Sequence, residues 1–491
     1  MRYDEFVRAV RGYRAVALLR LLARASIQQW HRRPLRLVDV NDPIKPWSIS
    51  LAAREALAGG LHAAGRERPT PEVLRRLDEL VFELEDPLMS NHPAGPGLDD
   101  VTGWMLRTGY QQFPYQQPIF GETARMRPML TRSFPRPRYQ VLSDAVIAEL
   151  LGTDISTYVD LSPFFLAAVM VNNGTFDPAW LDQPNFTPIL DGAPKEEILR
   201  VYHTRLSAPF AALRDAAKDK KARHERPELR QHDFNPLINT PFIILPDGIG
   251  LAPQPSFVTG RFSMSALYYA GMDTYGKPFA DDLGLVNEEY VLEQLSLLQG
   301  DEVSVRGEIT YTEGGNTKQS VDGFVVHPDQ VLFVEVKSQR PVLTKRLDPS
   351  SYTAMLQRDI DKARKQLQNT HQLWKGQHPA FAGLPADDRA VRGLIVVPEP
   401  LYLANHTMFN QFTMPFPTAI VSLTQLELAV SIAAQEKSSR VFTDLTAGSQ
   451  YLVADVEKAL SDARKRAGVT LPRNSILDDS FARMRWRARE S

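Results

Sequence analysis

The stretch Ser320–Arg340, SVDGFVVHPDQVLFVEVKSQR, constrains this chain more tightly than any other. Val321, Phe324, Val325 and Val326 form one apolar run, His327-Pro328-Asp329 is a turn signal, and Val331 to Val336 form a second run. The pattern predicts two short strands joined by a tight turn. Side chains alternate across a strand, so Phe333, Glu335 and Lys337 project to one face and Leu332, Val334 and Val336 to the other. A carboxylate and an ammonium set into an apolar strand are costly unless they pair or bind something. If the two strands pair through the turn, Asp322 comes to the same end of the sheet as Glu335. Charges on an edge strand can also serve simply to block aggregation, but that leaves Asp322 unexplained.

Two carboxylates at close quarters repel unless a cation sits between them. The chain has no cysteine, which excludes disulfides, cysteine-ligated zinc, iron–sulfur clusters and thiol nucleophiles. Oxygen-only ligation suits a hard divalent ion such as Mg²⁺, with Mn²⁺ as a substitute. Such an ion polarises a phosphoryl oxygen and lowers the pKa of a bound water. A lysine one pleat away can orient that water or stabilise charge on phosphorus.

The flanking sequence supplies a compact α/β core. Leu285, Glu288, Val291, Leu292, Leu295 and Leu298 share a helical face, Val303–Thr312 alternates as a strand, and the two strands above follow. A helix is expected over about 359–374, where Ile360, Ala363, Leu367 and Trp374 are in register, and Gly393–Val397 is a buried strand closed by Pro398. This α-β-β-β-α-β order, with Asp322 and then Glu335-Val336-Lys337 on the second and third strands, resembles the PD-(D/E)XK nuclease superfamily over about residues 283–398. Val321 stands where the family's name has proline. The resemblance implies that Asp322 and Glu335 hold the metal, that the Val336 carbonyl is a further ligand, and that Lys337 is the catalytic lysine. It also implies a glutamate from the first helix, for which Glu288 fits and Glu289 is second choice. Gln366 matches the glutamine or lysine that many members carry on the helix after the third strand, with Lys362 behind it.

At 491 residues the chain is long enough for about two or three domains. Residues 1–240 are expected to be mainly helical, 241–430 to hold the restriction-endonuclease-like domain, and 431–491 to be a helical, basic tail. Residues 1–35 predict one amphipathic basic helix. Such a helix can meet a phosphate backbone or a membrane surface, and docking by its apolar face is the favoured reading. The aromatic, amide-rich segment Gln111–Gln117, followed by Arg125, Arg127, Arg132, Arg136 and Arg138, admits either nucleic-acid binding or ordinary packing. Arg214–His232 is a charged helix or a linker.

With 57 basic and 58 acidic residues, net charge argues neither for nor against nucleic acid. The charged N-terminus predicts no signal peptide, no apolar run reaches membrane length, and a cytoplasmic location is expected. No phosphate-binding Gly-Lys loop, nucleophile elbow or His-Glu-x-x-His is present. The leading expectation is a Mg²⁺-dependent nuclease of bacterial or phage-related type, acting on DNA. The alternative is a nuclease-fold protein that binds nucleic acid or serves as a scaffold. In a third reading the N-terminal helices bind a partner, or a second copy of the chain, and control the enzyme. A defence role for such a fusion is an analogy of architecture.

Overall fold

A computed structural model describes residues 3–32, 41–61, 66–86, 89, 97–116, 119–219, 227–338, 340, 348–385, 388–406, 413–447, 455–469 and 473–486. The chain mixes helix and sheet, with many helices in its N-terminal half. It divides into two compact units, Met1–Tyr275 with Ser480–Ser491, and Gly276–Asp479.

In the first unit the basic helix expected over residues 1–35 is two helices, Tyr3–Arg11 and Ala15–Arg32. Their apolar faces are docked: Phe6, Val10, Leu18, Leu19 and Leu22 are fully buried, at about 1.5–3 kcal/mol per side chain. The arginines after the aromatic segment are partly consumed by packing. Arg125 pairs with Glu122 and Arg127 with Asp160, and both arginines are buried. They offer no surface to a nucleic acid. By composition and length the stretch Asp144–Val171 could cross a membrane. It is two helices, Asp144–Leu151 and Ile155–Val171, interrupted by left-handed Gly152 and restarted by the side-chain cap of Asp154. The helical pattern then ends at Gly174, whose φ is +88° and where a Cβ would meet the Ala23 Cβ at 2.7 Å and the Ala252 carbonyl at 2.9 Å. Only glycine satisfies both the conformation and the space.

The expected boundary at residue 240 is displaced. The strand Phe242–Ile244 pairs with Ser207–Pro209 and with Gly250–Leu251, so it extends a small four-stranded sheet of the first unit. The change of texture at Pro241 marks a strand joining existing structure, and the division falls at Tyr275. Residues 431–491 are likewise not one tail. Most of them belong to the second unit, whereas Arg485 pairs with Asp160 and Trp486 packs on Phe164 in the first. Of the charged run Arg214–His232, residues 220–226 lie outside the described residues, as do 487–491 of the basic terminus.

The second unit opens with α1 (Lys277–Ser296) and β1 (Ser304–Gly307). The single strand expected over Val303–Thr312 is split. Its second half turns away into a separate ribbon of β2 (Thr310–Glu313) and β3 (Asn316–Gln319). Next come β4 (Gly323–Val326), β5 (Gln330–Val336), α2 (Pro349–Lys375), β6 (Ala390–Val397), β7 (Thr418–Ser422) and α3 (Leu423–Glu436). The main sheet runs β7-β6-β5-β4-β1. β5, β6 and β7 are parallel neighbours, while β4 is antiparallel to both β5 and β1. The helix expected from Asp359 begins ten residues earlier, capped by Asp348, whose side chain accepts from the Ser351 N–H at 2.8 Å.

Candidate metal centre

Every residue of β5 is buried, so its one carboxylate stands in apolar surroundings. The ladder pairs Phe324 with Phe333 and Gly323 with Val334. One step further along that register, Asp322 stands opposite Glu335. Successive pairs face opposite sides, so Asp322 and Glu335 share a face with Phe324 and Phe333. This face lies under α2, because Phe333 packs edge-on against Trp374 with centroids 5.7 Å apart. Gly323 and Val334 occupy the other face, under α1, where Leu292 lies 3.0 Å from the position a Gly323 Cβ would take.

α2 presents a stripe at i, i+4 spacing: Trp374, Thr370, Gln366 and Lys362. Trp374 is in the core. Thr370 Oγ1 accepts the Val321 N–H at 3.1 Å, and Gln366 Nε2 donates to the Gln319 and Ser320 carbonyls, each at 2.7 Å. The helix thus grips the three residues before Asp322. Gln366 has its amide nitrogen committed to backbone, which makes it a positioning residue. Thr370 escaped the sequence reading, although its place one turn after Gln366 was a signal for it.

Asp322 Oδ2 accepts the Val336 N–H at 2.6 Å. Val336 therefore enters the site through its nitrogen, locking the two strands together at the carboxylates. Lys337 Nζ pairs with Glu335 Oε1, while Glu335 Oε2 is buried and has no hydrogen-bond partner. Burial raises the Glu335 carboxyl to about 8; the neighbouring Asp322 adds to this, Lys337 opposes it, and Glu288 contributes least. Burial also raises Asp322, against the pull of the Val336 N–H and Lys337. An unsatisfied buried oxygen costs about 1–3 kcal/mol, and more if charged. The donor set is all oxygen, its orphaned Oε2 lies beside a second carboxylate, and this fits a hard divalent cation.

Glu288 approaches from the α1 side. Gly284, one turn before it, lies against Ser338, with the Ser338 Oγ 2.9 Å from a Gly284 Cβ, and Leu292, one turn after it, lies against Gly323. Glu288 is thus carried between the ends of β4 and β5, within electrostatic range of Glu335. It does not complete a trio: among the described residues no three His, Asp or Glu side chains are gathered closely enough to hold an ion. Glu289 is the adjacent, half-buried residue. A further contact unseen in the sequence joins the carboxyl ends of β5 and β6, where buried Arg340 pairs with Glu399.

No known family model matches the chain, and no curated protein or solved structure is similar enough to it to count as a match.

Proposed function

We propose that the second unit is a Mg²⁺-dependent nuclease that hydrolyses phosphodiester bonds, with DNA as its substrate and a restriction-endonuclease-like core from α1 to β6. The observation that carries this reading is the buried, partnerless Glu335 Oε2 beside Asp322, with the Lys337 ammonium on the other oxygen of the same carboxylate. Asp322 and Glu335 would hold the metal, and Glu288 would add negative charge from α1. The ion supplies charge neutralisation on the phosphate and acidifies a bound water. Lys337 is about one-quarter exposed (24%), so its ammonium bridges the buried carboxylate and the solvent side where a phosphate would arrive. There it would hold the attacking water or a non-bridging oxygen by hydrogen bond. Gln366 and Thr370 keep the backbone before Asp322 fixed, so the carboxylate needs no reorganisation when substrate binds.

The test is cleavage of supercoiled and linear duplex DNA with Mg²⁺ or Mn²⁺, stopped by chelator. Asp322→Ala and Lys337→Ala should each lower cutting by about a thousandfold or more while melting like the parent. Equal cutting by either variant removes the site assignment. A second reading, a nucleic-acid-binding module with little cleavage, draws on the gathering of two carboxylates rather than three. Salt-dependent DNA binding without cleavage under any divalent metal would select it. The first unit is proposed as the partner-binding or self-associating part that controls this site.

A further inference from the structure

We infer that the β2–β3 ribbon is the element that reads base sequence in the groove of a duplex, with Lys362 holding an adjacent phosphate; this rests on the nuclease reading above. Glu313 pairs across the ribbon with Asn316, leaving Gly314-Gly315 as the two-residue turn, with φ of +56° and +79°. Those angles are what a tight hairpin requires. An isolated two-stranded ribbon is marginal in water, and this one is fastened at its root. The Ser320 N–H donates to the Ile309 carbonyl at 3.0 Å, the Ile309 N–H donates to Ser320 Oγ at 2.8 Å, and Gln366 binds the Gln319 carbonyl.

The two faces of the ribbon differ. Tyr311 is buried against His378 and Phe381, with centroids at 5.9 and 6.1 Å, so its face is turned to the unit. Lys318 and Glu313 neutralise one another at 2.5 Å on that same side. The other face carries Thr310, Thr312, Thr317 and Gln319, all exposed and all uncharged. Each of these side chains both donates and accepts hydrogen bonds. Such a face suits base edges, because threonine serves several bases and glutamine favours adenine. It does not suit a charged or apolar partner.

Geometry gives the ribbon its occupant. Gln319 is three residues from Asp322, a span of at most about 11 Å, and the four-residue strands reach about 13 Å further. A major groove about 12 Å wide admits a two-stranded ribbon. A duplex with one phosphate at Asp322 and Glu335 would therefore offer the threonine face bases no more than about seven pairs away. Lys362 lies one turn from Gln366, on the same stripe of α2, and is exposed. Its neighbours Arg364 and Lys365 both pair with Asp361, whereas Lys362 has no carboxylate partner among the described residues. Phosphate contacts of this kind set register, and base contacts set sequence.

The experiment compares the parent with Thr310→Ala/Thr312→Ala/Thr317→Ala on a duplex pool of random sequence in Mg²⁺, sequencing the cut ends. The parent should show base enrichment on one side of the cut, and the variant should lose it by about tenfold while total cutting stays within about threefold. Thr317→Ala alone repeats the comparison with the least disturbance to folding. Lys362→Ala should weaken binding to all sequences alike and reduce the salt slope by about one. Unchanged enrichment in a folded variant, or a parent that cuts with no preference, overturns the inference. So does a ribbon variant that changes oligomeric state alone, which would make the ribbon a protein contact. A parent that cuts nothing with any divalent metal fails the nuclease reading itself, and the ribbon assignment falls with it.

Discussion

Two polar side chains sit at opposite ends of β5, and the protein treats them differently. At the start, buried Gln330 is fully employed. Its amide nitrogen donates to the Ser439 carbonyl at 2.9 Å, and its oxygen accepts from Arg392 Nε at 2.7 Å and Thr443 Oγ1 at 3.1 Å. Towards the end, buried Glu335 has one oxygen on Lys337 and the other on nothing, with a second carboxylate opposite. The first unit also holds buried polar pairs made within the fold. Arg107 binds Asp86 at 2.7 Å, and Lys45 binds Asp78 through both its backbone N–H at 2.8 Å and its ammonium at 3.3 Å. Other buried polar atoms also lack a hydrogen-bond partner, but among the described residues Glu335 Oε2 is the one carboxylate oxygen of that kind, with a second carboxylate beside it, and this is the physical case for a metal there.

The largest expected difference between the two ends is in metal affinity and its pH dependence. Glu335 must release a proton to bind a cation, and its carboxyl is raised to about 8. Calorimetry with Mn²⁺ should therefore show affinity rising about tenfold per pH unit from pH 6 to pH 8 and levelling above. A flat profile would show that Glu335 is not a ligand.

The next effect is on stability without metal. Glu335 has a folded value above its ordinary one of 4.5, so the folded state holds its proton more tightly than the unfolded chain. Its contribution is fully present below about pH 4.5 and is lost as pH rises towards 8, at about 1.4 kcal/mol per unit. Glu335→Gln removes that slope, so it should gain on the parent between pH 5 and pH 9 in denaturant titrations. Parallel profiles would mean that the carboxylate is already satisfied. The smallest effect belongs to the other end. Gln330→Ala should cost about 1–3 kcal/mol by stranding its partners, with metal affinity unchanged. A loss of metal affinity there would erase the contrast between the two ends.

The carboxylate pair was legible in the sequence because it depends on local rules. A strand alternates faces and His327-Pro328-Asp329 marks a turn, so Glu335 and Lys337 could be placed on one face and Asp322 at the same sheet end. The register, Val326 on Val331 with His327 bonded to Gln330, is one residue away from what a three-residue turn gives, and it is what sets Asp322 opposite Glu335. Glu288 was legible as a polar position on an apolar helical face, but helical periodicity does not say which side of the sheet the helix covers. Gln366 was located by helical spacing, whereas its actual bonds run to carbonyls 47 and 46 residues away. The ribbon was missed because Val303–Thr312 alternates continuously, and nothing local marks Glu308-Ile309 as the point where the chain leaves one sheet for another. The boundary at Pro241 was misplaced because a new strand and a new domain share the same local texture.

By itself, then, the sequence determined the strand pair and the convergence of two carboxylates and a lysine at one sheet end, while the register was settled by the structure. Those follow from backbone periodicity and the cost of placing charge in an apolar strand. Only the tertiary structure decided that α2 clamps the residues before Asp322, that Glu288 arrives from the opposite side, that the split strand projects as a ribbon, and that residues 480–486 return to the first unit. Each of these depends on packing between segments far apart in the chain, where many pairings satisfy the same local pattern and only the assembled core selects one.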